Sequence, residues 1–127
     1  MLQRTDEHYR GLTYPWGRQQ APEPLKPFAV AEGVWWVRMT VTMALDHINL
    51  WLLEDGDGWT VVDTGLASED SRAIWEGLLK DFMGGKPIIR VICTHMHPDH
   101  IGLAGWLCEK FDCLRRYHFW GLKKLIG

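Results

Sequence analysis

The stretch THMHPDHIGLAG, residues 94–105, places three histidines and one aspartate within six positions: His95, His97, Asp99 and His100. Neutral imidazole and carboxylate are ligands that borderline divalent metals such as zinc accept. His95 and His97 lie two apart, so an extended backbone projects both to one side, where they could grip one ion. Pro98 biases His97 towards extended backbone and lets the chain turn, so Asp99 and His100 can point to a neighbouring position. Two adjacent metal positions are implied. A lone histidine near a strand end is ordinarily a surface or satisfied core residue, and His8 and His118 are read that way. Four such groups in six positions are not, because clustered ionisable groups cost free energy unless paired or metallated.

The elements around this stretch must position it. From Gly33 the sequence turns strand-like: GVWWVRMTVTM, then HINLWLLED, then WTVVDTG, with DGDG at residues 55–58 as the tightest turn. β-branched and aromatic residues bounded by turn residues predict a meander of three strands. Ser68 is a plausible N-cap with Glu69 and Asp70 in the first turn. Ile74, Trp75, Leu78, Leu79 and Phe82 then recur at helical spacing until Gly84, Gly85 and Pro87 stop the helix. IIRVICT, residues 88–94, has strand length. HIGLAGWLCEKF, residues 100–111, offers Leu103, Trp106, Leu107 and Phe111 as the buried stripe of a second helix. The cluster therefore sits in a strand-to-helix loop, the end of an open α/β sheet where ligands bind.

Length and charge bound the rest. A chain of 127 residues with 46% hydrophobic content can build one modest core. Four of the six prolines lie in residues 1–27, which show no hydrophobic period and read as an extended N-terminal arm. Residues 1–113 carry −6, whereas residues 114–127 carry +4 from Arg115, Arg116, Lys123 and Lys124. An acidic body with four terminal cations falls short of a nucleic-acid recognition surface. The N-terminus MLQRTDEHYRG lacks the apolar stretch of a signal peptide, and no apolar run has membrane-spanning length. Cys93, Cys108 and Cys113 form an odd set without a CxxC pair, which suits thiols in a reducing compartment. A cytoplasmic protein with neither a nucleic-acid nor a membrane partner is expected.

THMHPDHIGLAG resembles the HxHxDH signature of the metallo-β-lactamase-fold hydrolases. WTVVDTG resembles the strand and turn that precede it there, and HINLWLLEDGDG is also similar. The resemblance covers residues 28–113 and implies an α/β fold of α+β layered type, the N-terminal βα half of an αββα sandwich with a one- or two-metal site at one edge. It implies His95 and His97 as ligands of a first metal and Asp99 and His100 as ligands of a second. Zinc is the expected ion, and iron or manganese accept the same atoms. Asp63 matches the aspartate of the VDTG turn and is expected beside the metal site, supporting it. Asp99 is the residue expected to orient the attacking water. His47 has two readings, a substrate contact at the mouth of the site or a satisfied strand histidine.

The activity implied is metal-dependent hydrolysis of an ester, thioester, lactone or similar bond in a small molecule. Family members carry a further metal-binding histidine, a bridging acid and a last histidine on a second half-domain. After His100 this chain has only His118, Glu109 and Asp112 to offer. It therefore reads as a truncated domain: an arm over 1–27, a half-domain over 28–113 and a divergent basic tail over 114–127. Catalysis would need a complementing second half or a homo-oligomer. The alternative is a non-catalytic remnant or a metal-binding interaction module. A half-sandwich would also leave Trp35, Trp36 and Trp51 on a bare sheet face, favouring self-association.

Overall fold

The computed structural model describes residues 4–18, 21–40, 47–112 and 117–119. Two strands of the arm, β1 (Glu7–Tyr9) and β2 (Leu12–Tyr14), form an antiparallel hairpin. Its loop is Arg10-Gly11, with φ of 50° and 76°. Positive φ at both positions is the two-residue turn whose twist matches paired strands. The arm thus holds regular structure where the sequence shows no periodicity.

The main sheet has six strands in chain order: β3 (Phe28–Ala31), β4 (Val34–Thr40), β5 (His47–Asp55), β6 (Gly58–Val62), β7 (Ile88–Cys93) and β8 (Tyr117–Phe119). Pairing is antiparallel from β3 to β6 and parallel from β6 to β8. The expected meander is therefore present, and β3 extends it. Residues 41–43, the expected end of the first strand, lie outside the described residues. β8 lies past residue 113, and its backbone runs in register with β7.

Among the described residues there are three helices: α1 (Glu69–Asp81) forms the parallel crossover from β6 to β7, and α2 (Pro98–Ile101) and α3 (Ala104–Phe111) follow β7. Ser68 caps α1 by accepting from Ser71 N at 3.2 Å, an arrangement that contributes about 1 kcal/mol. Trp75 and Leu78 on α1 are buried, with Ile74, Leu79 and Phe82 packed partly beside them. The helix expected over 100–111 is divided at Gly102 and Leu103 into α2 and α3. On α3, Leu107 and Cys108 are buried, whereas Trp106 and Phe111 are only partly so.

Period-two alternation assigns the sheet faces. Val37, Met39, Ile48, Leu50, Leu52, Val61, Val91 and Cys93 join Trp75, Leu78, Leu103 and Leu107 in one core. Trp35 belongs to that side as well, its ring edge-on to Phe82 at 4.9 Å. Trp36 and Trp51 lie on the opposite face, stacked at 6.3 Å and half-buried. This corrects the expectation of three stranded tryptophans. Among the described residues the exposed large apolar side chains are Tyr9, Leu12, Leu25 and Met96. The arm explains the difference, because Trp16 packs edge-on against Phe28 at 5.3 Å and lines a cavity with Trp36 and Trp51.

Candidate metal centre

The site forms where β6 and β7 end side by side. Asp63 follows β6, and its N–H continues the parallel ladder to the Ile92 carbonyl at 2.7 Å. Its φ of 65° is left-handed, a region that aspartate visits more readily than most residues but at a cost. That turn brings its carboxylate, 4% exposed, under the histidine loop. The carboxylate accepts from Thr94 N at 2.8 Å, from Thr94 Oγ1 at 2.8 and 3.0 Å, and from His100 Nδ1 at 2.8 Å.

These bonds decide the imidazole tautomers. Because Thr94 commits its only hydroxyl proton to Asp63, its oxygen accepts from His95 Nδ1, 2.8 Å away. His95 then presents Nε2 as a lone pair. His100 likewise donates Nδ1–H to Asp63 and presents Nε2, which lies 3.6 Å from Asp99 Oδ2. A carboxylate behind a histidine whose other nitrogen is left for coordination is the usual support of a metal ligand. His95, Asp99 and His100 each offer one ligand atom, and all three atoms lie within 4.8 Å of one another. This donor set fits a borderline divalent ion.

His97 stands slightly apart from that trio. Its ring centroid is 4.7 Å from that of His95, whereas His100 approaches His95 to 3.9 Å. The cause is Pro98. It holds His97 extended at ψ 142° as the N-cap of α2, and the helical turn that follows folds Asp99 and His100 back towards His95. His97 is consequently exposed. His47 lies on β5 with Nδ1 2.9 Å from Arg38 Nη2, lining a cavity that includes none of the other candidate residues.

Sequence reasoning missed the residues that bind the two loops together. Thr64, fully buried, donates its N–H and hydroxyl to the His100 carbonyl at 2.7 and 2.8 Å. Its hydroxyl accepts from Leu103 N at 3.1 Å, and its carbonyl accepts from Trp75 Nε1 at 2.7 Å. Threonine follows the aspartate in VDTG and precedes the first histidine in THMH, so both positions were visible but carried no metal-ligating chemistry. Gly102 is the other omission. A Cβ there would meet Pro98 O at 2.5 Å, Ala67 N at 2.6 Å and Gly65 O at 2.8 Å, all backbone atoms. Gly102→Ala is expected to push the turn and α2 apart, lowering stability by about 2–3 kcal/mol in thermal unfolding.

Known proteins share this fold. A beta-lactamase domain protein from Burkholderia ambifaria superposes with a TM-score of 0.70 at 47% identity, over 81% of this chain and 34% of that one. The metallo-beta-lactamase FIM-1 from Pseudomonas aeruginosa, solved in its mono-zinc form, gives a TM-score of 0.56 at 27% identity, covering 69% of this chain and 39% of its own. A linear primary-alkylsulfatase from Pseudomonas sp is 31% identical over 85 residues, 67% of this chain and 12% of its own length. The chain thus spans only a fraction of each relative. The family model described as the metallo-beta-lactamase superfamily matches residues 43–118, which include Asp63 and the whole of His95–His100. This protein is a member of the metallo-beta-lactamase superfamily.

Proposed function

We propose that the chain carries the metal-binding part of a hydrolase that cleaves an ester, thioester, lactone or similar bond in a small molecule. The observation that carries this reading is the convergence of His95, Asp99 and His100 on one position, with Asp63 fixing the His100 tautomer. Zinc suits these donors, as one or two ions, and iron or manganese accept the same atoms. When bound, the ion supplies Lewis acidity and lowers the pKa of water from 15.7 to about 7.

The chain's own residues supply the orientation. His95 and His100 present Nε2, Thr94 and Asp63 hold those rings, and His97 is a further donor. Asp99 is assigned to orient the attacking water. His47 is assigned to substrate contact on sequence grounds. Catalytic zinc takes three protein ligands and keeps one open position, a number this trio supplies; a complementing half-domain or second copy would provide the remaining ligands of a second ion. In this reading residues 28–113 are the family half-domain, the arm precedes it and a basic tail follows. Among the described residues no helix is long and apolar enough to cross a membrane. A cytoplasmic setting without a nucleic-acid or membrane partner completes the reading, supported by the odd set of cysteines and the acidic body.

The test is turnover of p-nitrophenyl acetate, p-nitrophenyl sulfate and a chromogenic β-lactam by the zinc-loaded chain. The sulfate ester is included because of the likeness to alkylsulfatases. Hydrolysis of at least one, lost on chelation and reduced about a hundredfold or more by Asp99→Asn, is expected. Bound metal without turnover of any would favour the second reading, a metal-binding interaction module.

A further inference from the structure

The sheet face opposite α1 and α3 holds a solvent-open cavity of about 410 Å³ between the N-terminal arm and strands β4 and β5. Trp16, Trp36 and Trp51 give it flat apolar walls, and Arg38, His47 and Asn49 give it polar ones. Among the described residues no lining side chain is acidic, and none of Asp63, His95, His97, Asp99 or His100 reaches it. The volume falls within the range of small-molecule pockets.

Its two arginines differ. Arg18 lies 3.8 Å from Glu7 and stacks over the Tyr9 ring at 3.4 Å, so its charge is already met. Among the described residues no ion pair joins Arg38 to a carboxylate. Its Nη2 meets the His47 ring, and its Nε is buried without a hydrogen-bond partner. A half-buried guanidinium that meets no carboxylate among the described residues is open to an anion, and a planar carboxylate matches its donors best. Asn49 Oδ1 accepts from Trp36 Nε1 at 2.9 Å, which fixes the amide orientation and leaves its N–H donors for a ligand alongside one remaining lone pair. The cavity therefore favours negative charge beside flat apolar surface.

The geometry points to a binding site for a small organic anion with an aromatic or similarly flat body, its carboxylate on Arg38 and its ring against the tryptophans. Binding there can be tested without metal. The experiment is a titration of the ¹⁵N-labelled chain, in chelator, with phenylacetate, using phenylacetamide as the uncharged control. Saturable shifts of the Trp16, Trp36 and Trp51 indole N–H signals are expected on the order of a millimolar, as befits so small a ligand. Trp59 and Trp75, bonded to the Met83 and Thr64 carbonyls, should stay in place and report that the fold is intact. Arg38→Gln should weaken binding at least tenfold, and Arg38→Lys should retain part of it. Equal shifts with the amide, unmoved tryptophans, or undiminished binding to Arg38→Gln would each overturn the proposal. If Arg38→Gln fails to fold, the acid-against-amide comparison on the unmodified chain decides alone.

Discussion

Asp63→Ala is expected to lower the thermal midpoint by about 10 °C, corresponding to roughly 3 kcal/mol in a domain of this size. Three separate donors, Thr94 N, Thr94 Oγ1 and His100 Nδ1, converge on this carboxylate, and it is almost wholly buried. Truncation leaves them without an acceptor where water has little access, so the cost is mainly that of unpaired groups. Asp63→Asn separates support from stability. The amide keeps the size of the side chain but offers only one accepting atom. Thr94 and His100 then compete for it. We expect Asp63→Asn to cost less stability than Asp63→Ala, yet still to lower metal affinity about 10- to 100-fold, the usual effect of removing a carboxylate behind a ligand. Circular dichroism melting and competitive zinc titration measure the two effects. Equal zinc affinity in Asp63→Asn and the unmodified chain would show that the carboxylate serves folding alone.

The second large effect concerns the ligands themselves. His95→Ala, Asp99→Ala and His100→Ala should each weaken zinc binding by about 100-fold or more, since each removes one donor of a three-atom set. His97→Ala should cost less, about tenfold, because that ring stands apart from the trio and is exposed. All four changes should leave the melting temperature of the metal-free chain nearly unchanged, except His100→Ala, which also takes a partner from Asp63. A ranking with His97 equal to His95 would favour the pairing expected from spacing alone, His95 with His97 and Asp99 with His100.

The difference between those two arrangements marks what the sequence can carry. Residue types and spacing singled out His95, His97, Asp99 and His100, and the resemblance of VDTG to the family's turn added Asp63. The period-two and helical patterns located β4 to β7 and α1. What spacing could not give was which donors converge, because that depends on the turn Pro98 starts and on a left-handed Asp63. The break between α2 and α3 was hidden for a similar reason. The apolar stripe Leu103, Leu107 and Phe111 lies wholly at and beyond it and so could not show it, and only the close approach of Gly102 to Gly65 and Ala67 reveals that the turn must end there.

The arm was illegible for the opposite reason. Its hairpin is mostly exposed and polar, so no apolar alternation announces it, and the Arg10-Gly11 turn is a weaker signal than Asn-Gly would be. The two neighbouring tryptophans of β4 show a further limit. Composition placed Trp35 and Trp36 together, but adjacent strand residues face opposite sides, so one joins the core beneath α1 and the other the cavity under the arm.

Metal content of the purified chain, by elemental mass spectrometry against the His95→Ala/His97→Ala double variant, tests the central claim most directly. At least one divalent ion per chain in the unmodified protein, lost in the variant, is the result expected of a loop built to coordinate. Metal-free protein in both, or equal metal in both, would contradict it.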